Sequence, residues 1–491
     1  MSGARFLHWA GELLLVLAVF VVALPIFFSA KAKIDSDEGN KIGTTRYFET
    51  FFINRDYSPE AWEDNHWTRT QPMVFRYVIG SWLWFRGHDL AIQNPNYDHA
   101  KSAAANRRLG LAPTDDVLND ARMPARLLAA LSATVLYGIV RLLAGPIGGL
   151  VAATVFIGSP YLQENLIRAK AESTLMFFLL GALLLAILSV RLRKIERPAS
   201  AVGWGVATGL FLGLAFGTKL TTVLAVIAVV VWGVCLDERI GGRLTAFRNR
   251  LLPARWRGRT TAAAGPSQDA GSGTLGGATG DARSLAGLPA APATPVRPGP
   301  TWVWPLAVVL TTAFVFLITN PFLWPSPVAR SWLLFEYRRH EMADQQRLVP
   351  SRAVHTLDRR AALVWDRSVF NDAFGPSRLG WPLEGVLTVV GAVWLAVRAA
   401  RPGTGEPREE RLVFLWLAFL WAGVSVGLGF LLQHYFVPTA TVAALLSGLA
   451  VGWGVQAAWG WATRAVPLLR TVTAAAPASV AGWRYPFVRS R

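Results

Sequence analysis

The feature that most constrains this chain is the recurrence of apolar stretches close to the length that a ~30 Å hydrocarbon core demands. About ten are present: Leu13 to Ala30, Leu127 to Ala144, Ile147 to Tyr161, Ser173 to Val190, Ala201 to Gly217, Leu220 to Leu236, Trp302 to Ile318, Trp381 to Val397, Leu412 to Leu432 and Tyr435 to Ala458. In lipid every backbone polar group needs an internal partner, so such stretches span as helices. The expected fold class is an all-α polytopic membrane protein with about ten transmembrane helices. Hydrophobic residues make up 53% of the 491 positions, charged ones 16%, and Trp occurs 21 times, which fits that class. The first stretch follows Arg5 and ends near Ser29-Ala30-Lys31-Ala32, small residues that could mark a signal-peptide cleavage site. It is longer than a usual signal core, so an uncleaved anchor is expected.

Orientation follows from the basic residues, which accumulate in cytoplasmic connections. With the N-terminus inside, the even-numbered connections should be basic, and they carry Arg141, then Arg191, Arg193, Lys194 and Arg197, then Arg239 through Arg259, then Arg398, Arg401, Arg408 and Arg411, then Arg464 and Arg470. The net charge of +18 is therefore mostly a topology signal and calls for no nucleic acid. The expected location is the cell's inner (plasma) membrane, multi-pass, with both termini cytoplasmic. One outer loop, Pro321 to Gly380, is also Arg-rich. Its arginines suit an anionic ligand or a face against lipid headgroups.

The chain divides into an N-terminal transmembrane set over 1–236 with a long outer loop at 31–123, a cytoplasmic segment at 237–301, and a C-terminal set over 302–491 with the outer loop 321–380. The middle segment is Arg-rich and then Gly/Ala/Pro/Ser/Thr-rich from Thr260 to Pro300, the composition of a disordered linker. A single Cys, Cys235, excludes an intramolecular disulfide framework and a Cys-based metal cluster. No fixed-period repeat and no matched pair of broken helices is visible, which weighs against an inverted-repeat transporter.

Directly behind the first apolar stretch stand Asp35, Asp37 and Glu38. Crowded anions repel, and that repulsion is tolerated where a cation, a metal or a proton to be abstracted offsets it. The topology brings further polar groups to the same face: Arg168, Lys170 and Glu172 in the second outer connection, Lys219 in the third, Asn320 and Trp324 at the start of the fourth, and Gln433-His434-Tyr435 in the last. Ionisable groups near hydrocarbon mark function or pair with one another. Carboxylates with cations at a membrane rim suit an anionic lipid headgroup and a nucleophile that must lose a proton. Plainer roles exist for each. Asp35 or Asp37 can cap the following helix, Arg168 and Glu172 can form a local helical ion pair, and Lys219 can snorkel to headgroups. His434 and Tyr435, like His66 and Trp67, can belong to an aromatic belt.

These residues together resemble the GT-C integral-membrane glycosyltransferases, in the branch of protein O-mannosyltransferases and lipid A aminoarabinose transferases. The likeness rests on Asp35-Ser-Asp37-Glu38, Thr70-Gln-Pro72-Met-Val, Arg122-Met-Pro-Ala-Arg126, Ser159-Pro160, Arg168-Ala-Lys-Ala-Glu172-Ser, Gly213-Leu-Ala-Phe-Gly-Thr-Lys219, Asn320-Pro321 with Trp324, and His434-Tyr-Phe-Val-Pro438. Gln71-Pro72-Met73 departs from the family's common His-Pro-Pro-like element, and Glu172 stands in place of Asp.

The resemblance implies an inverting glycosyltransferase that moves a hexosyl or pentosyl group from a polyprenyl-phosphate donor to a protein, lipid or glycan acceptor on the extracytoplasmic face. Asp37, or Asp35, would be the general base, with Glu38 and Glu172 as further catalytic carboxylates. Lys219, Arg168, His434 and Tyr435 would hold the donor phosphate. No cofactor is required, although Asp35 and Asp37 have the spacing and hard oxygens for Mg²⁺ or Mn²⁺. An envelope polysaccharide polymerase or ligase, or a transporter of lipid-linked sugars, is the alternative. An outer-face domain should form from the two outer loops, with an apolar groove leading from the bilayer to the site.

The topology is directly checkable. A cysteine placed at Glu60 should react with an impermeant thiol reagent from outside and one at Thr274 should not; reversed labelling would put the acidic cluster in the cytosol.

Overall fold

The computed structural model describes residues 3–62, 66–91, 97–98, 100–193, 198–235, 303–371, 383–401 and 409–465. The expected linker at 237–301 lies outside the described residues. Among the described residues the secondary structure is helical, and the one pairing of extended chain is an antiparallel bridge between Ala353 and Phe430. Six helices among the described residues are long and apolar enough to cross a membrane: Ala10–Ser29, Asp115–Gly158, Ala171–Leu192, Leu383–Ala400, Glu409–Gly427 and His434–Thr463. Three shorter apolar helices, Val202–Phe216, Leu220–Gly233 and Val303–Ile318, accompany them. Large apolar side chains such as Leu13, Leu310, Phe314 and Val393 stay exposed on these helices, as a lipid-facing surface requires.

The helix Asp115–Gly158 contains two of the expected stretches, because the chain folds back within it. Gly145 leaves helical geometry at φ 85°, ahead of Pro146. A side chain there would be strained, which is why the turn needs glycine. The reversal brings Gly149 against Tyr137, so close that a Cβ on Gly149 would lie 2.9 Å from the Tyr137 carbonyl oxygen. Twelve residues apart on a straight helix they would be separated by about 18 Å. The stretch expected from Leu412 to Leu432 ends as helix at Gly427. Gly427 and Gly429 weaken helix there, and Phe430 instead bridges Ala353 in the second outer loop.

The helix Val437–Ala465 lies in the hairpin's groove. A Cβ on Gly448 would sit 2.5 Å from the Gly148 carbonyl oxygen, and one on Gly452 at 2.5 Å from that of Ala144. Small residues thus let two backbones touch, the usual way helices adhere where no hydrophobic effect separates them from lipid. Trp453 Nε1 donates to the Leu143 carbonyl at 3.0 Å across the same contact.

The first outer loop folds into short helices, among them Ser36–Gly43, His66–Thr70, Val74–Phe85 and Ala103–Arg108. Two clasps fix it to the membrane bundle. At one end, Arg122 donates to both Glu38 oxygens at 2.8 and 2.6 Å and to the carbonyls of Ala32 and Lys33. Glu38 is 0% exposed and also accepts the Ala169 N–H at 2.9 Å. At the other end, Val74 N–H bonds the Gly217 carbonyl at 2.9 Å. Met73 N–H bonds Asn320 Oδ1 at 3.0 Å, and the Tyr77 hydroxyl bonds the Thr319 carbonyl at 3.0 Å. The second outer segment joins this layer where the helix Pro327–Leu348 meets His66–Thr70, with His66 Nδ1 at 2.7 Å from the Tyr337 hydroxyl.

Removing one member of a buried ion pair leaves the other charge uncompensated and costs about 3–5 kcal/mol. Arg122→Ala should therefore lower the stability of the purified protein by about that amount, read as thermal unfolding in detergent, and an unchanged transition would show that the Glu38 clasp holds nothing.

Candidate functional site

The acidic cluster takes its shape from a helix start. Asp35 is the N-cap of Ser36–Gly43: its side chain accepts the Asp37 N–H at 2.9 Å, while Glu38 Oε2 accepts the Asp35 N–H at 3.0 Å. This capping box fixes the three carboxylates relative to one another, and it gives them three different environments. Glu38 is buried and fully engaged by Arg122 and the Ala169 N–H, so it has no capacity left for a substrate proton. Asp35, 24% exposed, pairs with Lys170 at 2.8 Å and Arg168 at 3.4 Å through Oδ2. Asp37 is the most open, 41% exposed, with Lys170 at a long 3.5 Å.

Both aspartates are held below the ordinary carboxylate range. For Asp35 burial by itself would raise the pKa, but the Lys170 charge and hydrogen bond, with help from the Asp37 N–H and Arg168, outweigh it. Asp37 behaves alike: burial opposes ionisation, and Lys170, Lys41 and His434 overcome it. In return Lys170 is pushed up, its burial more than offset by Asp37, Asp35 and Glu172. The three groups form one coupled unit that is ionised throughout at neutral pH.

Beside this unit the other expected residues converge. Arg168 bonds Glu164 at 2.6 Å rather than Glu172, so the local Arg168–Glu172 pair does not form. Glu172, buried at the first turn of its helix, pairs instead with Lys219 at 3.1 Å, and its Oε2 has no hydrogen-bond partner among the described residues. Lys219 turns inward and sits 5.3 Å from the centre of the Tyr435 ring, not outward toward headgroups. The Tyr435 hydroxyl accepts from Arg338 at 2.6 Å, and Arg338 also pairs with Glu341 at 2.5 Å. His434 packs edge-on against Tyr435 with ring centres 4.7 Å apart. Asp35, Asp37, Glu38, Arg168, Glu172, Lys219, His434 and Tyr435 thus lie in one connected neighbourhood.

Four side chains carry more here than sequence reasoning gave them. Lys170 bridges the two aspartates, and Arg122 is the counter-charge of Glu38. Arg338 enters from the second outer loop. Lys41 stands one helical turn after Asp37, half-buried, its ammonium 5.9 Å from the centre of the Phe75 ring. Its i+4 spacing from Asp37 was the available signal, since it puts both on one helix face.

The geometry does not fit a divalent ion held by Asp35 and Asp37. The Lys170 ammonium already stands against both carboxylates, and Asp35's oxygens are committed to a backbone N–H and two cations. Among the described residues, no group of three or more His, Cys, Asp or Glu side chains is arranged to hold a metal.

Residues 99–244 match the protein family described as dolichyl-phosphate-mannose-protein mannosyltransferase. That segment includes Arg122, Arg168, Lys170, Glu172 and Lys219 but not the acidic cluster. No curated protein matches the sequence. Among solved structures, ArnT from Cupriavidus metallidurans bound to undecaprenyl phosphate is 15% identical at a TM-score of 0.45, covering 91% of this chain and 62% of its own. The archaeal oligosaccharyltransferase AglB from Archaeoglobus fulgidus, in complex with an inhibitory peptide and a dolichol-phosphate, is 12% identical at a TM-score of 0.45, covering 97% of this chain and 52% of its own. The chain spans 62% of the first and 52% of the second.

The depressed pKa values make a prediction with a definite sign. A carboxylate whose folded pKa lies below its unfolded value contributes stability that is complete above the unfolded value and is lost as pH falls through the folded one. The melting temperature of the wild type should therefore drop as pH is lowered from about 5 to about 3, and Asp35→Asn should flatten that drop by removing one of the titrating groups. A pH profile identical in the two proteins would mean that the Lys170 pairing does not contribute to stability.

Proposed function

We propose that the chain is an inverting glycosyltransferase that uses a polyprenyl-phosphate-linked sugar and transfers it to an acceptor hydroxyl at the extracytoplasmic face of the plasma membrane. The observation that carries this reading is the division of labour among the carboxylates: only Asp37 combines exposure, ionisation and a loose partner. The family match over 99–244 and the lipid phosphates named for ArnT and AglB agree with a lipid-linked donor.

In this mechanism the acceptor oxygen bonds the anomeric carbon on the face opposite the phosphate. The bond from that carbon to the phosphate oxygen breaks, and its electron pair leaves with the phosphate. Asp37 accepts the hydroxyl proton. A carboxylate of lowered pKa is a weak base toward a free alcohol, so the proton moves late, when bonding to carbon has made the oxygen acidic. Lys170 orients Asp37, and Asp35 holds Lys170. Lys219, backed by Glu172 and the Tyr435 ring, stabilises the charge growing on the phosphate, with Arg168 adding to the field, while His434, which burial and then Lys170 and Lys219 hold neutral, can offer a hydrogen bond but no charge. Arg122 and Glu38 do no chemistry and hold the loop.

The donor's chain needs an apolar path, and a closely packed apolar seam would have to part to admit it. The seam lies between Met176, Leu179 and Leu183, Trp416 and Leu420, and Pro438. Met176 is one turn beyond Glu172 and Pro438 one turn beyond His434, so the seam begins beneath the charged groups. Each CH₂ kept in such surroundings contributes about 0.8 kcal/mol.

The test is turnover of a polyprenyl-phosphate sugar by the purified protein. Asp37→Asn keeps shape but cannot take the proton, and should lose about 10²–10⁴ in rate with donor binding retained. Asp35→Asn should lose less, through Lys170. Lys219→Ala should weaken turnover by about one to two orders of magnitude, or roughly 1.4–2.7 kcal/mol. Near-normal transfer by Asp37→Asn would end the assignment.

A further inference from the structure

The charges around Asp37 fall into two sets that differ in how they are paired. In the first set Arg168, Lys170 and Lys219 face Asp35, Asp37, Glu164 and Glu172, so every cation has a carboxylate. The second set is Lys41, Arg76 and Arg338, and of these only Arg338 has an ion-pair partner among the described residues, Glu341. Arg76 is 0% exposed, yet its Nη groups bond only neutral atoms, the Met73 sulfur at 2.9 Å and the Trp67 carbonyl at 2.9 Å. Its Nε has no partner among the described residues. The guanidinium lies 5.3 Å from the Phe75 ring centre and 5.7 Å from that of Tyr47. The Lys41 ammonium approaches the same Phe75 ring at 5.9 Å and meets no carboxylate within ion-pair distance among the described residues.

Two adjacent cations without a carboxylate in direct contact raise the energy of a folded protein, because burial and mutual repulsion both disfavour them. Burial first and then the charge of Arg76 push Lys41 down to about 8, with Arg338 adding to the effect and Asp37 and Glu341 opposing it. Burial likewise brings Arg76 down to about 10. Such an arrangement persists where a ligand supplies the missing negative charge.

We infer that Lys41 and Arg76 form an oxyanion site for a phosphate-class group beside Asp37. Arg76 offers a planar fork held between two aromatic rings, and Lys41 a point charge on a mobile stem. The carrier of that group, acceptor or donor, depends on the glycosyl-transfer reading; the anion binding itself does not.

The test uses the full chain in detergent and inorganic phosphate as the probe, followed by calorimetric titration and by the phosphate-dependent rise in melting temperature. Lys41→Gln should weaken phosphate binding at least tenfold while melting at the same or a higher temperature without phosphate, because one of two repelling cations is gone. Arg76→Lys, which keeps the charge but removes the fork, should weaken binding as well. Repeating the titration with undecaprenyl phosphate at saturation identifies the carrier. If inorganic phosphate still binds, and Lys41→Gln still abolishes it, the site serves an acceptor-borne anion. If undecaprenyl phosphate excludes it, and Lys41→Gln weakens both, the site serves the donor. The inference is overturned if the wild type binds no phosphate, if Lys41→Gln binds it as well as the wild type, or if that variant melts lower without phosphate, as a purely structural lysine would make it. Phosphate binding without any sugar transfer would sink the enzymatic reading and leave this site standing.

Discussion

The buried pair of Glu38 and Arg122 is the contact on which the site depends. Glu38 reaches three parts of the chain at once: the start of its own helix through the Asp35 N–H, the second apolar stretch through Arg122, and the turn carrying Lys170 through the Ala169 N–H. A carboxylate with that many charge-assisted bonds repays its desolvation where a lone pair would not. Together with the pairs of Asp35 to Lys170 and Arg168, it brings Asp37 and Lys170 from two segments into one place. The most buried of the three carboxylates therefore sets the position of the most open one.

The same construction explains why a long polar loop can be rigid at a membrane surface. Its far end is bound through backbone and amide groups, at Gly217 and Asn320, which are the outer ends of two further helices. These are short-range, directional bonds, and they tie the loop to several spans, so relative motion of those spans would be felt at Asp37. Aromatic packing of Phe51 on Tyr77, with Tyr47 and Trp62 nearby, fills the space beneath.

Much of this was legible in the residues themselves, for identifiable reasons. Apolar length and the alternation of arginines speak directly about membrane spans, because lipid leaves a chain few choices. The clustering of Asp35, Asp37, Arg168, Glu172, Lys219, His434 and Tyr435 followed from sidedness alone. Pairing did not follow. That Arg168 turns to Glu164 and Glu172 to Lys219 depends on the crossing of helices, which no periodicity reports. Glu38 looked equivalent to its neighbours because composition cannot distinguish a buried carboxylate from an open one. The Gly145 reversal was hidden between two stretches read correctly as separate, while the exit from helix at Gly427 was masked by the apolar residues that follow it. Arg76 drew no notice inside an aromatic-rich segment, although a single charge in such a segment was the clue.

The glycine contact between the 115–158 hairpin and the last helix has a consequence for how the protein is made. The two partners, Gly148 and Gly448, are separated by most of the chain, and synthesis delivers the second long after the first has entered the bilayer. Until then the hairpin presents a groove lined by small residues, with the Leu143 carbonyl waiting for the Trp453 indole. His434 and Tyr435 lead that last helix, so the ring behind Lys219 arrives with it. A nascent chain therefore carries its acidic cluster through most of translation without the wall that completes it. Closure of this groove therefore waits for the helix Val437–Ala465, and a chain cut short before it would leave the small-residue groove open.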